Sequence, residues 1–152
     1  VLLSVAAFGR LWCLVFIAGK KNDSLLTEGP YSIARNPLYV FTFLGFVGFG
    51  LAVENPWLAT VIGVWFVAFY PATVTHEEQR LASIFGAAYA EYCARTPRWI
   101  PNFRLYHEPQ ALMICPAKIR RGILDAMGFL LAFFLWEALE AFRQLGVLHT
   151  WI

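Results

Sequence analysis

Two adjacent carboxylates, Glu77 and Glu78, follow an uncharged run of 21 residues, 55–75, with only His76 between. Acidic groups at the end of such a run are costly unless solvated or paired, and on a helix these two point about 100° apart. Upstream lies Gly29-Pro30-Tyr31-Ser32-Ile33-Ala34-Arg35-Asn36-Pro37-Leu38-Tyr39. Its Gly-Pro turn exposes backbone N–H and C=O groups, and the planar fork of Arg35 suits a carboxylate. Pro37 is favourable at a helix start. Downstream, Phe85-Gly86, Tyr89 and Tyr92 lead to Pro97-Arg98-Trp99-Ile100-Pro101. Taken singly, each cluster also fits a plainer role. Arg35 can snorkel to anionic headgroups, Glu78 can be a solvated helix exit, and the aromatic residues can anchor at an interface. His76 alone carries little.

The elements that would position these groups are membrane helices. The chain has 152 residues, 59% hydrophobic and 14% charged, with a mean hydropathy of +0.58. That balance excludes an ordinary soluble globule, a disordered tail and a disulfide-stapled secreted module. A net charge of +2 without a long basic run gives no sign of nucleic-acid binding. Cys13, Cys93 and Cys115 are widely spaced, which fits neither a disulfide framework nor a zinc site, so no metal is expected. No internal repeat is visible.

Uncharged windows at 36–53 and 55–75 give roughly 27 and 32 Å of helix, matching a bilayer core of ~30 Å. Glu54-Asn55-Pro56-Trp57 between them reads as a turn, so the two form a transmembrane hairpin. The expected spans are about 1–19, 36–53, 56–75 and 122–148 of a single domain, 1–152, with polar regions at 20–35 and 76–121. Because the apolar pattern begins at Val1, further membrane-spanning sequence is expected upstream. Arg10 interrupts the first span, either entering the interface or facing a polar cavity. Glu137, Glu140 and Arg143 share a stripe of the last helix, as a surface ion pair or as a polar lining. Ten of the 12 Lys and Arg residues fall where the hairpin's two ends emerge, and the positive-inside rule makes that side cytoplasmic. Residues 76–95 have helical spacing and an amphipathic face, ending before Thr96-Pro97. Pro97, Pro101, Pro109 and Pro116 then predict an extended cover. The fold class is an all-α integral membrane protein, a transmembrane helix bundle around a central helical hairpin.

The order of the clusters is more specific than any one of them. GPY-x3-R-x-P-x-Y, a hydrophobic hairpin, EE, and FG-x2-Y-x2-Y-x4-P-R-x-I-P resembles the isoprenylcysteine carboxyl methyltransferase and phospholipid methyltransferase superfamily over about residues 10–104. The resemblance implies an integral membrane methyltransferase using S-adenosylmethionine (SAM). Its cytoplasmic cofactor pocket would be closed by the amphipathic helix and the Pro-rich segment. Carried over by position, Gly29, Tyr31, Arg35, Asn36, Pro37 and Tyr39 form the first cofactor motif. Glu77 and Glu78 are the acidic pair, and Tyr89, Tyr92 and Pro101 belong to the closing part. Arg35 and Glu77 are the expected catalytic residues, and Arg10 and Tyr92 the candidates for contact with the acceptor.

The family commonly has His where this chain has Asn36, and an amide does not titrate near neutral pH, so acid–base work at that position is excluded. The expected acceptor is lipophilic: a prenylcysteine carboxylate, a phospholipid amine, or a small thiol or alcohol. Partner proteins are not legible. The tail 92–101 is also similar to the C-terminal end of NADPH-dependent membrane sterol reductases, and a non-catalytic membrane subunit is a third reading.

Overall fold

A computed structural model describes residues 1–18, 24–112 and 116–145. Among them every regular element is helical: α1 (Leu2–Ile17), α2 (Pro30–Ile33), α3 (Pro37–Ala52), α4 (Pro56–Arg95), α5 (Pro116–Ala126) and α6 (Gly128–Gln144). A short 3-10 turn, Phe103–Leu105, lies between α4 and α5. Four helices open on proline, whose fixed φ and missing N–H suit the first helical position. Asn55 caps α4 by accepting a hydrogen bond from the Leu58 N–H at 2.9 Å.

α3 is the central helix, packed against α1 on one side and α4 on the other. Its buried face is built from Thr42, Gly45, Gly48 and Gly50 rather than from large side chains. Small residues let backbones approach closely. At Gly50 a methyl group would stand 2.6 Å from the backbone of Ala59, so the hairpin closes only over glycine. Phe43 and Phe46 of α3 then pack on Phe66 of α4.

α4 runs for 40 residues, roughly 60 Å, which is about twice a bilayer core. The apolar half and the expected amphipathic half are thus one element, broken by non-helical backbone at Gly86 (φ 50°, ψ −121°). Of the described helices, α4 alone is long and apolar enough to cross a membrane. α1 and α3 are apolar but shorter, 16 residues each. Pro37 and the turn at Glu54 (φ 55°) set the limits of α3.

Two expectations change near the C-terminus. Pro116 starts α5 instead of extending the cover, because a proline at the first helical position costs no hydrogen bond. The stretch expected as one span, 122–148, is divided at Met127 between α5 and α6, and residues 146–148 lie outside the described residues. Arg143 pairs with Glu140 at 3.3 Å with both side chains well exposed, an interaction worth little.

Gly29 carries the sharpest local constraint. Its φ of +58° lies in the region that favours glycine, and an added methyl would meet the Phe16 ring at 2.3 Å. Phe16 belongs to the core cluster with Cys13 and Tyr31, so it cannot move aside cheaply. The expected outcome of Gly29→Ala is a loss of at least about 2 kcal/mol from backbone strain and overpacking together, measured by thermal unfolding in detergent.

Candidate active site

The loop from Gly29 to Asn36 is held by hydrogen bonds from chain far away in sequence. The Gly29 N–H donates to the His107 carbonyl (2.8 Å), the Asn102 N–H to the Ile33 carbonyl (2.9 Å), and the Arg35 N–H to the Pro97 carbonyl (2.8 Å). The Tyr92 hydroxyl donates to the Tyr31 carbonyl at 2.6 Å, and the His107 N–H to the Ser32 hydroxyl at 3.3 Å. Ile33 and Ala34 are almost fully buried, so these bonds satisfy backbone groups that water cannot reach. Trp12 of α1 also packs on Tyr106 of this closing segment.

The two carboxylates have different tasks. Glu78 faces Asn36 Nδ2 (2.9 Å), Arg35 Nη1 (3.4 Å) and Arg98 Nε (3.1 Å). The Arg98 contact lies off the hydrogen-bonding angle and is purely an ion pair. Arg98 also donates to the Thr75 hydroxyl at 2.7 Å. Glu78 therefore joins the loop, α4 and the closing segment, and it is absent from the cavity described next. Glu77 points the other way and accepts a hydrogen bond from the Tyr39 hydroxyl at 2.8 Å.

A cavity of about 300 Å³ opens between the loop and α4. Tyr31, Arg35, Asn36, Tyr39, Glu77 and Arg80 supply its polar lining. Ile17, Leu26, Leu38, Leu81 and Phe85 supply apolar surface, and Tyr89 and Tyr92 complete it. The size falls at the lower end of small-molecule sites. The Tyr31 hydroxyl is buried and makes no hydrogen bond among the described residues.

Burial pushes the Tyr31, Tyr89 and Tyr92 hydroxyls upward, so all three stay protonated beyond the ordinary range. Burial alone would lower Arg35, but its hydrogen bond to Cys93 (2.9 Å) and the nearby Glu78 carboxylate turn the net shift upward. Arg35 is thus a permanent cation. Its Nε is buried without a hydrogen-bond partner.

Of the sequence-predicted residues, Tyr31, Arg35, Asn36, Tyr39, Glu77, Tyr89 and Tyr92 line this one cavity. Gly29 shapes the turn beneath it, and Pro101 lines a separate groove behind Arg35. Arg10 is buried in α1 against the Thr42 hydroxyl of α3 and does not line the cavity. Arg80 and Cys93 were not anticipated. Arg80 lies three residues after Glu77 on the same helix face, a spacing that could have revealed it. The Arg35–Cys93 contact has no local signature. Among the described residues no group of three His, Cys, Asp or Glu forms a possible metal site.

The helical fold and this arrangement of Arg35, Glu77 and the tyrosines accompany a match to the phospholipid methyltransferase family over residues 2–88, and the chain belongs to that family. It is 38% identical over 148 residues to the cobalt-zinc-cadmium resistance protein CzcN of Cupriavidus metallidurans, covering 97% of this chain and 68% of that one. It is 33% identical over 150 residues to the nickel-cobalt-cadmium resistance protein NccN of Alcaligenes xylosoxydans xylosoxydans, covering 99% and 70%. Protein-S-isoprenylcysteine O-methyltransferase B of Arabidopsis thaliana is 33% identical over 88 residues, 58% of this chain and 45% of that protein. No solved structure matches the chain.

Tyr92→Phe leaves the buried Tyr31 carbonyl without its donor, and the expected cost is about 1–3 kcal/mol in denaturant unfolding. Because the folded-state value of Tyr92 is raised, the stability tied to its protonation is complete below the ordinary value of about 10 and is lost as pH rises through the raised one. The alkaline loss of stability is correspondingly smaller in Tyr92→Phe.

Proposed function

We infer that the chain is an integral membrane enzyme that transfers the methyl group of SAM to a lipophilic acceptor at the cytoplasmic face. The observation that carries this reading is the single cavity lined by both Arg35 and Glu77. SAM bears a carboxylate, an ammonium and ribose hydroxyls, and the cavity offers a guanidinium and a carboxylate to meet them. Arg35 suits the carboxylate, and Glu77 the ammonium or the hydroxyls. The residues present therefore fit the cofactor.

When bound, SAM supplies an electrophilic methyl on a sulfonium. This chain's part is alignment, since an in-line displacement needs nucleophile, methyl and sulfur held in register. Arg35 and Glu77 fix the polar end, while Leu38, Leu81 and Phe85 keep water away from the reacting end. Glu77 is the one carboxylate among the described lining residues, and its task here is to hold the ammonium or the hydroxyls of the cofactor. Asn36 donates to Glu78 and to the Arg98 carbonyl, a positioning task that an amide performs at any pH.

The membrane reading draws on α4. Trp57, Val61, Val64, Trp65, Val67 and Phe69 are half or more exposed along its apolar part. That much outward apolar surface fits contact with lipid. A second reading, a non-catalytic membrane subunit, draws on the resistance proteins CzcN and NccN, whose names specify no transferase.

Calorimetry with SAM on detergent-purified protein separates these readings. Glu77→Gln is expected to weaken binding about ten- to a hundredfold while the protein stays monodisperse, the loss of one charge-assisted contact, and Arg35→Ala at least as much, since it also removes a partner of Glu78. Unchanged affinity in both variants refutes the assignment, and wild-type protein without affinity for SAM favours the subunit. Glu78→Gln is expected to act differently, speeding proteolysis within residues 97–107 even without cofactor, because the closing segment loses its ion pair.

A further inference from the structure

Behind Arg35 lies a second, more open groove of about 820 Å³ between the end of α4 and the closing segment. It is lined by Arg35, Arg95 and Arg104, with Asn102, Ile100 and Phe103 among its other walls, and among the described residues no carboxylate lines it. Arg35 is already paired with Glu78, but the charge of Arg95 and Arg104 is not spent in this way. Arg104 makes no ion pair among the described residues, and Arg95 meets Glu91 only at 3.8 Å with both side chains largely exposed, a pairing worth little. The C-terminal end of α4 contributes about half a negative charge, far short of cancelling the two remaining guanidinium groups. Two large apolar side chains, Ile100 (82% exposed) and Phe103 (73% exposed), stand beside these cations. A free phosphate uses only the arginines, whereas an anionic lipid uses both features, its phosphate on the guanidinium forks and its chains along Ile100 and Phe103.

We propose that this groove binds the phosphate-bearing headgroup of an anionic membrane lipid, at a site separate from the cavity between the loop and α4. Bound there, the lipid ties the closing segment to the bilayer surface from its outer side. Because Arg35 borders both spaces, the site stands directly behind the proposed cofactor contact.

The test uses the full chain in non-ionic detergent, titrated by calorimetry with dihexanoyl phosphatidylglycerol, dihexanoyl phosphatidylcholine and inorganic phosphate. Phosphatidylglycerol is expected to saturate near one molecule per chain, at least tenfold tighter than phosphatidylcholine, and to weaken as salt is raised. Arg95→Gln with Arg104→Gln should reduce that affinity about tenfold. Both side chains are exposed, so the fold is retained. Ile100→Ser with Phe103→Ser should weaken the lipid but leave inorganic phosphate unchanged. Equal affinity for the two lipids, or no effect of the double arginine change, overturns the proposal. Inorganic phosphate binding as tightly as the lipid, with no response to the apolar changes, overturns the lipid assignment. None of these readouts requires SAM, so failure of methyl transfer leaves them interpretable.

Discussion

The Glu78 carboxylate, 15% exposed, draws together an amide and two guanidinium groups from separate stretches of chain. Desolvating a carboxylate costs several kcal/mol, and only well-placed partners return it. Asn36 and Arg35 come from the loop before α3, and Arg98 from the segment after α4, so the carboxylate is satisfied only when both lie against α4. The backbone bonds between residues 29–36 and 97–107 form under the same condition. Closure of the loop and formation of the cavity are consequently one event, and the cavity inherits its shape from a residue that does not line it.

This arrangement divides an acidic pair by helix geometry. Adjacent residues on a helix point about 100° apart, so one carboxylate can be spent on structure while its neighbour stays open to a ligand. Among the described residues Glu77 accepts one hydrogen bond, from Tyr39, and that donor can be exchanged for another. Glu78 is fully engaged. The uncharged half of α4 brings both to one depth, and Asn55 and Pro56 set where that helix begins.

Much of this was legible in the sequence, for identifiable reasons. Helix starts followed from Pro37 and Pro56, and the hairpin from two uncharged windows separated by Glu54-Asn55. The convergence of Arg35, Tyr39 and Glu77 followed from the order of clusters in a recognised family rather than from spacing, which cannot bring together groups so far apart. Spacing failed where tertiary partners decided the outcome. The fate of Glu78 depended on Arg98, and the contact of Arg35 with Cys93 depended on how the loop lies across α4. Pro116 was read as a breaker although the same residue type opens four helices, because a lone proline does not say which side of it the helix lies on.

The break at Gly86 leaves space around it, with nothing within 4 Å of where a side chain would begin. The family match ends two residues later, at residue 88. The chain beyond this turn lies against the loop before α3, where the Tyr92 hydroxyl meets the Tyr31 carbonyl. A single backbone torsion thus gives the second half of the helix its heading, and Tyr89 and Tyr92 reach the cavity wall because of it.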